Sequence, residues 1–226
     1  MIVSYDIVSR LVDETESLQQ ISTLKFGSAI KDLTSYAAYL VQTYHYVVAS
    51  VPLMQAAVTT EFARSHVPFQ QYLTRHIEEE NGHDKWLLED LLSLGYSEAS
   101  VRCSFPLPEV AQLAGAQYYT IFHLHPLGLL GYIYALESAP PNREFLTALT
   151  VKYGVPPTAL RTLHAHALDD VEHRESLLSL LRSLELDNFQ EETIVHSACN
   201  ALRSLIGILS ALSCMSESEI AREYRL

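Results

Sequence analysis

The chain has 226 residues, 27 of them acidic against 15 basic, for a formal net charge of −12. That balance argues against nucleic acid and against an anionic membrane surface as partners, since both need a basic footprint. With only 8 glycines and 9 prolines, well under the roughly 12% share of an average domain, the chain lacks the turn-formers of a many-stranded sandwich or barrel.

Helical periodicity runs through most of the sequence. Ile7, Val8, Leu11, Val12 and Leu18 recur at helical spacing within residues 5–20, and residues 25–27 break the pattern. Residues 31–60 form a long apolar stretch in which Pro52 predicts a kink or break. Residues 66–94 read as one strongly periodic helix, ended by Gly95 at a position that favours glycine. Residues 97–108 read as a connector, because Pro106 and Pro108 forbid a continuous helix. The next helical block, 109–138, is interrupted near Pro126 and closed by residues 139–142. Helices over 143–153, 158–186 and 188–215 complete the set. No internal repeat or low-complexity linker divides the chain, so one all-α domain over residues 1–226 is expected.

Residues 33–60 and 110–136 carry no charged side chain. Their length would suit a membrane span, but the first contains Gln42, His45 and Pro52, and the second Gln112, Gln117, His123, His125 and Pro126. Polar groups are expensive inside a bilayer, so the expectation is two central helices that wall an enclosed space in a non-membrane protein. Cys103, Cys199 and Cys214 share no short spacing and imply neither a disulfide framework nor a thiolate metal site. Residues 1–18 carry charges throughout and no apolar run, unlike a secretory signal. A reduced, cytoplasmic setting is expected.

Chemistry concentrates in three places. In His166-Ala-Leu-Asp-Asp170-Val-Glu-His173, positions 166, 170 and 173 fall within roughly 60° on one helix face, whereas His164 and Asp169 point elsewhere. Two imidazoles and a carboxylate without thiolate suit iron or manganese, and also zinc. In His76-Ile-Glu78-Glu79-Glu80-Asn-Gly-His83, Glu80 and His83 are three apart, the unit by which bundle proteins hold one metal of a pair. Asp170 and His173 repeat that spacing. Glu79 and His83 would also converge, so the choice between the two glutamates stays open. His76, one turn before Glu80, would orient a ligand from outside the metal shell. Glu137 is the one charged residue of a long apolar run, and a buried carboxylate needs a partner or a metal. The predicted ligand set is Glu80, His83, Glu137, His166, Asp170 and His173, supported by His76 and Glu79. Three carboxylates match much of the charge of a dinuclear divalent site.

These residues, in the order Glu…His, then Glu, then His-x3-Asp-x2-His, resemble the haem-oxygenase-like di-iron oxidases and oxygenases. That group includes the Chlamydia CADD-like proteins and is related to TenA and PqqC. In several members more residues separate the glutamate from its histidine, so the resemblance does not choose between Glu79 and Glu80. It implies a bundle of about seven helices, often dimeric, with two iron ions between central helices. It further implies reduction of O₂ by two ferrous ions to oxidise a small organic substrate, with an external electron donor and a homodimer as expected partners. Manganese or zinc would fit the same ligands. Tyr44, His45, His123 and Tyr134, on the two uncharged helices, are candidate pocket-lining residues. The alternatives are a metal-independent TenA- or PqqC-like enzyme acting on a small heterocycle, and a non-enzymatic helical binding protein. A haem oxygenase is less favoured: Gly128-x-x-Gly131 would admit a large flat ligand, but no single histidine stands out as its axial partner.

Overall fold

In a computed structural model of the chain, which describes residues 6–138, 141 and 143–224, every regular element among the described residues is helical. Helix α1 (Ile7–Ala29) runs through the break expected at residues 25–27. An interior glycine costs only about 1 kcal/mol against alanine, and Phe26 anchors this turn by edge-to-face contacts with Tyr39 and Phe145. Helix α2 (Leu33–Val58) starts at a reciprocal cap: Asp32 accepts the Ser35 amide, and the Ser35 hydroxyl accepts the Asp32 amide. It continues through Pro52, where burial of Leu53, Met54 and Ala57 keeps the chain helical despite the lost backbone hydrogen bond.

The single helix expected over 66–94 is instead two, α4 (Val67–Glu80) and α5 (His83–Ser93), preceded by the short α3 (Glu61–Ser65). The break falls at Gly82, whose φ of 103° lies in the left-handed region. The expected connector holds a short helix, α6 (Glu98–Arg102). Next come α7 (Pro108–Tyr119), a π-helical turn (Thr120–Leu124) and α8 (Gly128–Glu137), with the interruption at Pro126 where the sequence places it. After α9 (Arg143–Tyr153) follow α10 (Arg161–Ser183), α11 (Asn188–Cys214) and an unanticipated α12 (Glu217–Glu223). These breaks divide the bundle into more segments than seven. Tyr5 and three residues of the turn expected at 139–142 lie outside the described residues.

Helix α11 is the spine, packed against α1, α7 and α8. It is long and apolar enough to cross a membrane, yet most of its apolar window is buried within the bundle. Two buried glutamines of the uncharged helices are partnered internally: Gln42 donates to the Tyr224 hydroxyl and accepts the Leu107 amide, and Gln117 accepts the Ser197 hydroxyl. Gly128 and Gly131 serve close approach of α8 to α11 rather than to a flat ligand. A methyl group at 131 would overlap the Ile194 carbonyl oxygen and the Ala198 amide.

Candidate metal centre

Three local features aim the charged side chains of α4, α5, α8 and α10 at one place. The first is the break after Glu80, which makes Glu80 the last residue of α4 and His83 the first of α5, so the pair straddles a turn rather than sharing one helix. Only glycine holds a φ near 100° without strain. Gly82→Ala is therefore expected to lose about 1–2 kcal/mol of stability and to weaken metal retention, as denaturant unfolding and metal titration would read.

The second feature is a clamp on α10. Asp90 of α5 is fully buried, and its carboxylate accepts the amides of Arg161 and Thr162, the first two residues of α10. A carboxylate there satisfies orphan amides and complements the helix dipole. Arg161 also pairs with Glu89 and lies 5.2 Å over the Trp86 ring. The third is burial of Glu137 at the end of α8, only 6% exposed, with no lysine or arginine among the described residues paired to it.

The result is two facing groups that share one carboxylate. In the first, donor atoms of His76, Glu80, Glu137 and His173 all lie within 4.8 Å of one another. His76 Nε2 is 3.0 Å from Glu137 Oε1, and His173 Nδ1 is 3.6 Å from the same oxygen. In the second, His166 Nδ1 is 2.8 Å from Asp170 Oδ1, and the His166 ring lies 5.1 Å from that of His83. Glu80 faces both groups, with Oε1 3.9 Å from His173 Nδ1 and Oε2 3.0 Å from His83 Nδ1. The six predicted ligands thus come together. His76, expected only to support them, stands among the potential ligands.

Glu79 takes the outer position. Its Oε2 lies 3.4 Å from His76 Nδ1 and 3.5 Å from His173 Nε2, the ring nitrogens turned away from Glu137. One carboxylate thus sits beside the outer nitrogen of both rings, where it favours a proton on that nitrogen and leaves the inward one to act as a metal donor. Arg75, 3.5 Å from the other Glu79 oxygen, steadies it in turn. Glu79→Ala is expected to reduce metal affinity about 10–100-fold with little change in unfolding temperature, a contrast that competition against a chelator and a thermal melt would reveal.

The donor set fits a cation. His83 Nδ1, His173 Nδ1 and Glu137 Oε2 are buried without a well-formed hydrogen bond, an arrangement that is costly unless something completes it. Burial raises the Glu137 carboxyl above the usual range. Burial opposes ionisation of Glu80 as well, but the imidazoles of His83, His76 and His166 outweigh it and hold Glu80 low. For His76 and His166, burial acts downward, yet the neighbouring carboxylates Glu137 and Asp170 raise both. An incoming cation displaces protons from these rings, so metal uptake is expected to weaken as pH falls, with proton release detectable in weakly buffered titrations.

A cavity of about 160 Å³ abuts this cluster, walled by α2, α4, α5, α8 and α10 and reached by His76, Glu80, Glu137, His166 and Asp170. Tyr44, His45, His123 and Tyr134 do not line it. The Tyr44 hydroxyl accepts from Arg102, His45 meets Ser104, His123 is exposed against Tyr119, and Tyr134 is buried elsewhere in the core. The lining tyrosines are Tyr39, Tyr46 and Tyr132. Burial pushes the Tyr132 phenol up to about 12 and raises those of Tyr39 and Tyr46. A legible signal pointed to two of them: at 100° per residue, positions 39, 43, 46 and 50 share one face of α2, whereas 44 and 45 turn away from it.

Residues 37–205 match a family model described as iron-containing redox enzyme. No curated protein matches the chain. Among solved structures, a domain of unknown function with a heme oxygenase-like fold from Shewanella denitrificans is similar at 21% identity. The match covers 91% of this chain and 88% of that one, with a TM-score of 0.72. A TenA homolog from Pseudomonas syringae pv. tomato is similar at 15% identity over 91% of this chain and 92% of that one, with a TM-score of 0.71. At these identities the likeness shows a shared heme oxygenase-like, TenA-like fold.

Proposed function

Because the chain belongs to the iron-containing redox enzyme family, we propose that it is a non-haem di-iron oxidoreductase that uses dioxygen to oxidise a small organic molecule. The observation that supports two ions rather than one is Glu80, whose two oxygens face different histidines, His173 and His83. His76, His173 and Glu137 would hold one iron, and His83, His166 and Asp170 the other, with Glu80 between them. When bound, iron supplies the one-electron chemistry and the open coordination positions that dioxygen needs.

The protein's own work is placement and exclusion. Glu79 keeps the outer nitrogens of His76 and His173 engaged, so the inward nitrogens stay available. Leu87, Ile133 and Leu163 give the cavity apolar walls that displace water from the substrate's side of the cluster. Asp90 holds α10 in register, so His166 and Asp170 meet α5 at the right height. No cysteine lines the cavity among the described residues, which leaves a metal-independent reaction without a thiol nucleophile there. An external reductant and a homodimer complete the proposal.

An oxygen electrode tests it. Full-length chain loaded anaerobically with Fe(II) is expected to consume dioxygen in repeated cycles when a chemical reductant is supplied, and His166→Ala to lose that consumption. Uptake equal in the iron-free and iron-loaded chains, or unchanged in His166→Ala, would contradict the proposal.

A further inference from the structure

The α2 wall of the cavity carries a row of hydroxyls. Tyr39, Thr43, Tyr46 and Ser50 recur on α2 at steps of four, three and four residues, within about 60° of one another, and all four line the cavity. Tyr39, Thr43 and Tyr46 hydrogen-bond among themselves. Tyr132 of α8 joins them beside Ser50. It is 2% exposed, and its hydroxyl lies within reach of the Ser50 hydroxyl without making a well-formed hydrogen bond. A buried hydroxyl in that condition is stabilised by a ligand that completes it.

Charge and size narrow what that ligand is. Among the described residues no lysine or arginine lines the cavity, and the acidic groups there are the carboxylates of the cluster. A carboxylate or phosphate would therefore enter without a counter-charge from the wall. The volume, about 160 Å³, is close to the roughly 150 Å³ of a protein cavity that takes up benzene. Leu40, Val47, Ile133 and Leu163 offer the apolar surface a ring needs.

We propose that the substrate is an uncharged single-ring molecule of phenol or aniline size, its hydroxyl or amino group on the Tyr39–Thr43–Tyr46 row and its ring beside the histidine–carboxylate cluster. This rests on the reading of that cluster as the reacting centre. Neutral hydroxyls both donate and accept, so they match a phenol or an aromatic amine. A hydrocarbon ring of equal volume would fill the space and offer neither the hydroxyl row nor Tyr132 a partner.

Calorimetric titration of phenol, aniline, toluene and benzoate into the full-length chain tests this, once metal-free and once loaded with redox-silent zinc. Phenol and aniline are expected to bind both forms, and toluene about two- to tenfold more weakly, the worth of one net hydrogen bond. Tyr46→Phe and Thr43→Val should each weaken phenol by a similar factor and leave toluene unchanged, which separates a lost hydrogen bond from a distorted cavity. Phenol bound no better than toluene, phenol indifferent to both substitutions, or benzoate bound more tightly than phenol by the metal-free chain would each overturn the proposal. Phenol bound by a chain that takes up no metal would support the pocket assignment while refuting the metal centre. A metal-loaded chain that ignores phenol and aniline would do the reverse.

Discussion

Glu80→Gln is expected to cut the iron capacity of the chain from two ions to one and to abolish turnover with dioxygen. Glu80 is the carboxylate with an oxygen toward each histidine group, 3.9 Å from His173 Nδ1 and 3.0 Å from His83 Nδ1. Glutamine preserves the volume but removes the negative charge and replaces one acceptor oxygen with a donor NH₂. The loss of metal affinity should exceed the roughly 10–100-fold that follows removal of an outer partner such as Glu79. Competition of the variant against a chelator of known affinity would check this. An unchanged second binding step would show that the two groups fill independently of Glu80.

Gly131→Leu should produce the largest loss of stability away from the metal centre. Gly131 lies where α8 touches the backbone of α11, and even a methyl group would overlap the Ile194 carbonyl oxygen and the Ala198 amide. Backbone atoms of a buried helix cannot swing aside as a flexible side chain can, so relief requires α8 and α11 to separate. Overpacking of this kind costs typically 1–3 kcal/mol and sometimes more, and contact with backbone belongs at the upper end. About 3 kcal/mol lowers the unfolding temperature by roughly 6–12 °C in a chain of this size. Because Glu137 sits on the same helix, iron binding should weaken in parallel. A thermal melt of the metal-free variant separates the packing loss from the loss of ligand stabilisation.

Much of the architecture was legible because helical periodicity and low glycine and proline content depend only on local sequence. The interruption at Pro126 and the three-point face of His166, Asp170 and His173 follow from backbone geometry alone. What escaped depends on tertiary context. Gly82 breaks a strongly periodic stretch, whereas Gly27 does not, because Phe26 is packed against Tyr39 and Phe145 while Gly82 takes a left-handed φ and is followed by the buried His83. The place of His76 among the donor atoms was not legible for a related reason. Spacing places it on the face of Glu80, but only the position of α8 brings its Nε2 to 3.0 Å from Glu137. The same fold places the two glutamates differently, with Glu80 facing inward and Glu79 beside the outer nitrogens of two rings. Tyr44 and His45 attracted notice as polar residues in an uncharged helix, yet their direction along α2 carries them to Arg102 and Ser104. Asp90 gave no signal at all, since its partners are backbone amides 71 and 72 residues away.

The most direct test of the central claim is the iron content of the full-length chain after anaerobic loading with Fe(II) and removal of excess metal. The account predicts two irons per chain, and at most one when His76, Glu80 and His173 are all replaced by alanine in a variant that still folds, since only His83, His166 and Asp170 remain to hold it. Failure of the wild-type chain to retain iron, or iron retained equally by the triple variant, would contradict it.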